Sequence, residues 1–194
     1  MSALRLVVIN HVTLDGVMQG PGRPDEDPRD SFIHGGWASA SDDPAIFEAV
    51  GERMSPQGGM LLGRRSYDEM LGTWNERGGP FKDALNAATK FVASRSPDTE
   101  LRWPNSTLLS GDVPSRVAEL KRRDGGNLVI MGSGRLIGSL LPHGLIDEFL
   151  LMIHPLVLGS GRRLFEHGSQ RIELRLADSR AAATGVIIAT YVPG

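Results

Sequence analysis

Apolar and polar positions divide the chain into alternating strands and helices. Leu4 to Val12 is β-branched and nearly uncharged, as a buried strand should be, and closes on the turn pair Asp15-Gly16. Gln19 to Asp30 holds three prolines, two glycines and four acids, and His34-Gly35-Gly36-Trp37 prolongs it. This predicts a loop longer than the ~12–15 residues beyond which structureless connections are usually functional. Whether its acidic stretch from Asp25 to Asp30 closes over a ligand is left open. A helix is predicted from Ser41-Asp42-Asp43-Pro44, with a polar N-cap, proline in the first turn and an Ile46, Val50, Met54 stripe.

Gly59 to Gly63 then reads as a short strand running straight into a helix over Arg64 to Leu71. Strands follow at Thr89–Ala93, Ser106–Ser110 and Asn127–Met131, with helices at Pro114–Arg123 and Arg135–Leu141. Past Ile146 the pattern changes to consecutive strands: Ile146–Leu158, then Arg171–Leu176 with period two, then Ala182–Val192. Strand–helix alternation followed by strands alone predicts one α/β domain over residues 1–194. Its central sheet should be mainly parallel, flanked by helices, with an antiparallel C-terminal edge.

Composition narrows the chemistry. Lys plus Arg total 21 and Asp plus Glu 23, a net charge of −2, so no broad basic face for nucleic acid is expected. Without cysteine there is no disulfide, no thiolate nucleophile and no Cys-based zinc site. None of the five histidines pair at metal-ligand spacing, and no metal is expected; His11 and His154 read as satisfied core or rim residues. The first apolar run is far too short for a signal peptide or a membrane span, so a soluble cytoplasmic protein is expected. Glycine is enriched, at 24 residues, which points to turns and to places where backbone approaches a ligand.

In open α/β sheets ligands bind beyond the carboxyl ends of the strands. Three such ends carry similar equipment. Leu62-Gly63 runs into Arg64-Arg65-Ser66, which puts two guanidiniums and a hydroxyl at a helix N-terminus, where free N–H groups already favour an anion. Ala93 runs into Ser94-Arg95-Ser96, and Met131 into the glycine turn Gly132-Ser133-Gly134-Arg135. Each piece has a bland reading as a turn or a solvated face. Their repetition at neighbouring strand ends predicts a site for a ligand with several phosphates.

Taken together, Thr13-Leu14-Asp15-Gly16, Leu62-Gly63-Arg64-Arg65-Ser66-Tyr67-Asp68, Ser94-Arg95 and Met131-Gly132-Ser133-Gly134-Arg135 resemble the dihydrofolate reductase fold. They look still more like the C-terminal reductase domain of the bifunctional riboflavin-biosynthesis deaminase/reductase. Gly144-Leu145-Ile146-Asp147-Glu148 and Pro155 to Phe165 are similar to that second group in particular. The resemblance runs from Leu4 to Val192. It implies an NADPH-dependent reductase in which Gly63, Arg64, Arg65, Ser66, Ser94 and Arg95 hold the adenosine phosphates. Gly132, Ser133, Gly134, Arg135 and Leu136 would wrap the pyrophosphate and nicotinamide end. The family usually has a second glycine at Ser133, often joined by a cis peptide, so the Gly132–Ser133 bond is an open question.

The reducing step is less legible. Trp37 and Asp42 are spaced like the tryptophan–aspartate pair of dihydrofolate reductases, although Asp42 equally reads as a helix N-cap. Asp15, in the turn at the expected site rim, is the other candidate catalytic carboxylate, with a plain turn role as its alternative. Trp37 and Trp74, both in glycine-rich surroundings, are candidates to stack on a flat heterocycle. The nearest family activity is reduction of 5-amino-6-(5-phosphoribosylamino)uracil. These residues carry no zinc-binding deaminase segment, so a freestanding reductase of another pterin, carbonyl or imine stays in view. A non-catalytic NADPH-binding sensor is the remaining alternative. The apolar runs Phe149–Ile153 and Val186–Ala189 are expected to pair copies into a homodimer.

Overall fold

The computed structural model describes residues 3–54, 57–166 and 171–194. Eight strands form one sheet: β1 Arg5–Thr13, β2 Gly59–Gly63, β3 Lys90–Ala93, β4 Ser106–Leu109, β5 Asn127–Met131, β6 Glu148–His154, β7 Leu174–Ala181 and β8 Ile187–Pro193. Their order is β4-β3-β2-β5-β1-β6-β8-β7. Every pairing from β4 to β6 is parallel, and β6–β8 and β8–β7 are antiparallel. The helices are α1 Pro44–Arg53, α2 Arg64–Arg77, α3 Pro80–Ala87, α4 Val113–Lys121 and α5 Gly134–Leu140. This is the expected architecture.

Side-chain alternation along the strands sorts the helices between the two faces. Leu6, Val8, Leu128 and Ile130 pack with Val117 and Leu120 of α4 and Leu136, Ile137 and Leu140 of α5. On the other face Val7, Ile9, Val129 and Leu150 meet Ile46 and Ala49 of α1. Met60, Leu62 and Val92 meet Tyr67 and Leu71 of α2 and Leu85 of α3. Met131, at the carboxyl end of β5, touches both of the latter clusters and so marks the seam between α1 and α2.

Several boundaries differ from the sequence reading. α2 runs two turns past Leu71, since Gly72 is tolerated inside a helix that is packed on the sheet. α3 has no counterpart in the reading: Gly78 and Gly79, both at positive φ, hide an eight-residue helix that starts on Pro80. Its end is held by Lys90, fully buried, whose Nζ donates to the carbonyls of Leu85, Asn86 and Ala88. β6 stops at His154 because Pro155 cannot continue the ladder. The last hairpin turns through Gly185 at φ +85°, so β7 reaches Ala181 and β8 starts only at Ile187.

The ground for expecting a homodimer falls with this topology. β6 and β8 are interior strands, and Phe149, Leu150, Leu151, Met152, Val186, Ile188 and Ala189 are buried within one chain. The strand left at that edge is β7, whose side chains are mostly exposed. Among the described residues no helix is long and apolar enough to cross a membrane.

Candidate functional site

The parallel strands bring the three phosphate-type segments side by side. β2 and β3 pair with Gly63 opposite Ala93, which sets Arg64 beside Ser94. The end of β2 is tied to the end of β5 through serines. Gly63 N–H donates to Ser133 Oγ at 3.0 Å, Ser133 Oγ donates to Met131 O at 3.1 Å, and Ser133 N–H donates to Ser66 Oγ at 2.9 Å. Ser133 sits at φ 56°, ψ 37°, a left-handed conformation that costs a non-glycine residue about 1–2 kcal/mol. Those bonds offset the cost. The Gly132–Ser133 peptide is trans, and the turn is made by positive φ at both residues. On β1, Asn10 clamps the same turn: Gly132 N–H donates to its Oδ1 at 2.9 Å and its Nδ2 donates to Gly132 O at 3.3 Å.

Around this knot several donors are unspent. α2 begins at Gly63 without a side-chain cap, leaving its first-turn N–H groups free. Arg64 Nε is held by Asp68 at 2.6 Å. Arg65, Arg95 and Arg135 are exposed and hydrogen bond to no described residue. Ser94 Oγ pairs with Thr99 Oγ1 at 2.7 Å and shapes the loop carrying Arg95. Gly134 is crowded by Met18, whose Sδ would lie 2.9 Å from an added Cβ. Leu136 is buried in the core rather than at the surface of the turn. Among the described residues no cluster could hold a metal ion.

The substrate-side candidates divide. Asp15 is a clasp: its carboxylate accepts from Thr13 Oγ1 at 2.6 Å, Leu158 N–H at 3.2 Å and Gly159 N–H at 2.9 Å. The Thr13 hydroxyl is the main cause that holds its pKa down to about 2, despite some opposing desolvation. Such a group has no proton to lend near neutrality. Asp43, not Asp42, caps α1, accepting from Ala45 N–H at 2.9 Å. Asp42 is exposed, and its charge acts on His154. Trp74 lies within α2, not on a loop, with its ring edge-on to Phe81 of α3 at 4.6 Å and under Arg77 at 5.0 Å. Packing between two helices removes it from the substrate-side group.

Trp37 does join the strand ends. Its Nε1 donates to Gln19 O at 2.7 Å, and its ring meets His154 edge-on at 5.1 Å. His154 ends β6, is fully buried, and lies 2.8 Å through Nε2 from Nδ1 of His11 on β1. The sequence reading left both histidines out of the site, as it did Asn10. A polar residue in an otherwise apolar inner strand was the available signal.

The long loop is strapped down on both sides. Arg23 bonds to Thr73 Oγ1 and, at 3.5 Å, to Glu69 Oε2 of α2. Gln19 Oε1 accepts from Arg162 N–H at 2.9 Å, and Asp30 pairs with Arg162 at 2.7 Å. Asp27 is partly desolvated, which raises its pKa, but the hydrogen bonds and charge of Arg29, with Arg65 acting more weakly, lower it overall. The loop therefore crosses from the end of β1 to α2.

Comparison with known proteins agrees with this layout. The uncharacterized protein YyaP of Bacillus subtilis (strain 168) is 29% identical over 195 residues, covering 96% of this chain and 94% of that protein. A putative riboflavin biosynthesis protein from Shewanella sp. PV-4 superposes with a TM-score of 0.68 at 21% identity, covering 98% of this chain and 99% of that one. Dihydrofolate reductase from Enterococcus faecalis, solved with NADP(H), superposes with a TM-score of 0.62 at 16% identity, covering 98% and 96%. The family model described as the RibD C-terminal domain matches residues 5–188, from the first residue of β1 into β8, and the chain belongs to that family.

Proposed function

We propose that this protein is an NADPH-dependent reductase of a small heterocycle, with the ribosylaminopyrimidine of the riboflavin route as the nearest family activity. Family membership supports a reductase. The observation that carries the choice of coenzyme is the set of unspent cations. Arg65, Arg95 and Arg135 are exposed at adjoining strand ends beside the uncapped start of α2 and hydrogen bond to no described residue, Arg65 acting only at a distance on Asp27. A pyrophosphate with an additional ribose phosphate is the kind of ligand those donors suit, because a guanidinium fork matches phosphate oxygens and a helix start favours negative charge. Bound there, the coenzyme would supply a hydride.

The chain's own part is to hold and shape. Gly132 and Ser133, fixed by Asn10, Gly63 and Ser66, present a rigid turn at the seam between α1 and α2. Trp37 and the histidine pair wall the β1–β6 side, where a flat ring can lie edge-on or stacked. The loop over residues 19–37 borders that side through Trp37.

The test has two stages. Titration with NADPH and NADH is expected to saturate with both, with NADPH binding at least tenfold more tightly. Loss of reduced-nicotinamide absorbance is then followed against ribosylaminopyrimidine, pterins, simple imines and quinones. No saturable NADPH binding overturns the proposal; tight binding with no turnover on any substrate favours the sensor reading.

A further inference from the structure

The pair of histidines is unexplained by the fold. Both sit at the carboxyl edge of the sheet on the α1 face, His11 on β1 and His154 on β6 opposite Thr13. The β1–β5 register sets Ile9 opposite Met131, so His11, two residues on, lies at the same carboxyl edge as the Gly132 turn, on the α1 face, near where the coenzyme's reactive end is proposed to lie. The rings lie 5.1 Å apart, tilted by 43°, with 2.8 Å between His11 Nδ1 and His154 Nε2. One of those nitrogens must carry the hydrogen and the other a lone pair.

The surroundings choose between the two arrangements. His154 Nδ1 is buried and has no partner among the described residues. Were His11 the donor, the neutral His154 ring would carry its hydrogen on Nδ1, a buried N–H with nothing to accept it. Reversing the bond leaves only a bare lone pair there, the less costly defect. In that arrangement His11, a partly buried residue, carries its hydrogen on Nε2, for which the described residues offer no hydrogen-bond partner.

Resting on the reductase reading above, we infer that His11 is a catalytic residue: its neutral ring presents Nε2–H to the heteroatom of the substrate's reducible C=N or C=O bond, and His154 fixes that tautomer. When the substrate carbon takes up the hydride and its electron pair, the π pair moves onto the heteroatom. Nε2–H donates a hydrogen bond to the charge growing there, and the proton that completes the new N–H or O–H bond comes from solvent. A fixed donor aimed at developing charge in a partly dry site is worth about 10²–10³ in rate. A substrate acceptor next to the reducible carbon is thereby required, which selects ring carbonyls and imines over simple alkenes.

Charged groups near the pair are few. Asp42 acts on His154 from the segment before α1. Asp43 is spent on Ala45 N–H and Ala183 N–H, and Arg180 is paired with Glu48. On the β8 side, Ile187 to Thr190 carry no ionisable side chain.

Long-range ¹H–¹⁵N correlation on the full chain labelled at histidine reads the tautomers directly. Both rings are expected as neutral Nε2–H at pH 7, and in His154→Phe the His11 Nδ1 resonance is expected to shift as it loses its hydrogen-bond donor, with Nε2–H retained. An Nδ1–H tautomer at His11 or at His154 overturns the assignment. With the fastest substrate of the panel, His11→Phe is expected to lower kcat about 100-fold with NADPH affinity unchanged, and His11→Gln to recover at least a third of the loss on a logarithmic scale. Native-like kcat in a folded His11→Phe protein overturns the assignment while leaving the reductase reading intact. If native protein binds no NADPH, the reductase reading fails and the role given to His11 fails with it; the tautomer result then describes only a structural pair.

Discussion

Ser133 Oγ accepts the backbone N–H of Gly63 at 3.0 Å, joining the turn after β5 to the last residue of β2. A serine in a left-handed turn thus does with its side chain what a glycine pair would leave to the backbone. Ser133→Ala keeps the strained φ and loses the bonds to Gly63 and Met131, so it should destabilise the protein by about 1–2 kcal/mol and weaken NADPH binding. Ser133→Gly loses the same bonds but relieves the strain, and should cost less. Urea unfolding of the three proteins orders them.

Asp15 reaches Gly159 N–H at 2.9 Å and holds the 158–163 segment against the end of β1. Removing it in Asp15→Ala should cost about 1 kcal/mol, because the half-buried Leu158 N–H and the exposed Gly159 N–H lose their acceptor and water replaces it in part. Its pKa, about 2 when folded, lies below the ordinary carboxylate value of 3.8, so the folded state binds fewer protons there. Its contribution is therefore complete above about pH 4 and is lost as pH falls through 2. A general acid would instead leave a mark in the rate profile near neutrality; the expected kcat profile of Asp15→Ala has the native shape.

Arg95 is exposed at the end of β3, and no described residue competes for its guanidinium. Arg95→Ala should weaken NADPH about tenfold and NADH little, since one exposed charge facing a phosphomonoester contributes on the order of 1 kcal/mol. The NADPH effect should shrink with added salt. Equal loss for both coenzymes would move the ribose phosphate elsewhere.

His11 is held neutral chiefly by burial and secondly by His154, with its pKa lowered to about 4, and burial lowers that of His154 as well. Because each folded pKa lies below the unfolded value of 6.5, the unfolded chain binds more protons between the two. Stability is full above about pH 6.5 and falls as pH drops toward 4, with a slope approaching about 1.4 kcal/mol per pH unit from His11 and a further contribution of the same sign from His154. His11→Phe should flatten that slope. Thermal melts at pH 7, 6 and 5 give the comparison.

Much of this protein is written locally. The β-branched run of β1, the Asp43-Pro44 start of α1 and the strand-to-helix junctions at Gly63 and Met131 each specify their element within a few residues. They made legible the fold class, the mainly parallel sheet with its antiparallel edge, and the expectation that Arg64, Arg65, Ser94 and Ser133 lie at neighbouring strand ends. A helix such as α3 escaped because its amphipathic signal is two residues, Phe81 and Leu85, behind a glycine pair.

Tertiary structure decided what depends on partners far along the chain. Asp15 and Asp42 are indistinguishable as letters. One becomes a clasp because Leu158 and Gly159 arrive above it; the other stays in solvent because the neighbouring Asp43 takes the cap. Trp37 and Trp74 part in the same way, one against His154 and the other against Phe81. The apolar runs of β6 and β8, which predicted a second copy, are covered by their own chain. His11 and His154 stand 143 residues apart, and only parallel pairing of β1 with β6 brings their nitrogens within hydrogen-bond reach. Periodicity reports which face of an element is buried, and strand order alone determines which residues share that burial.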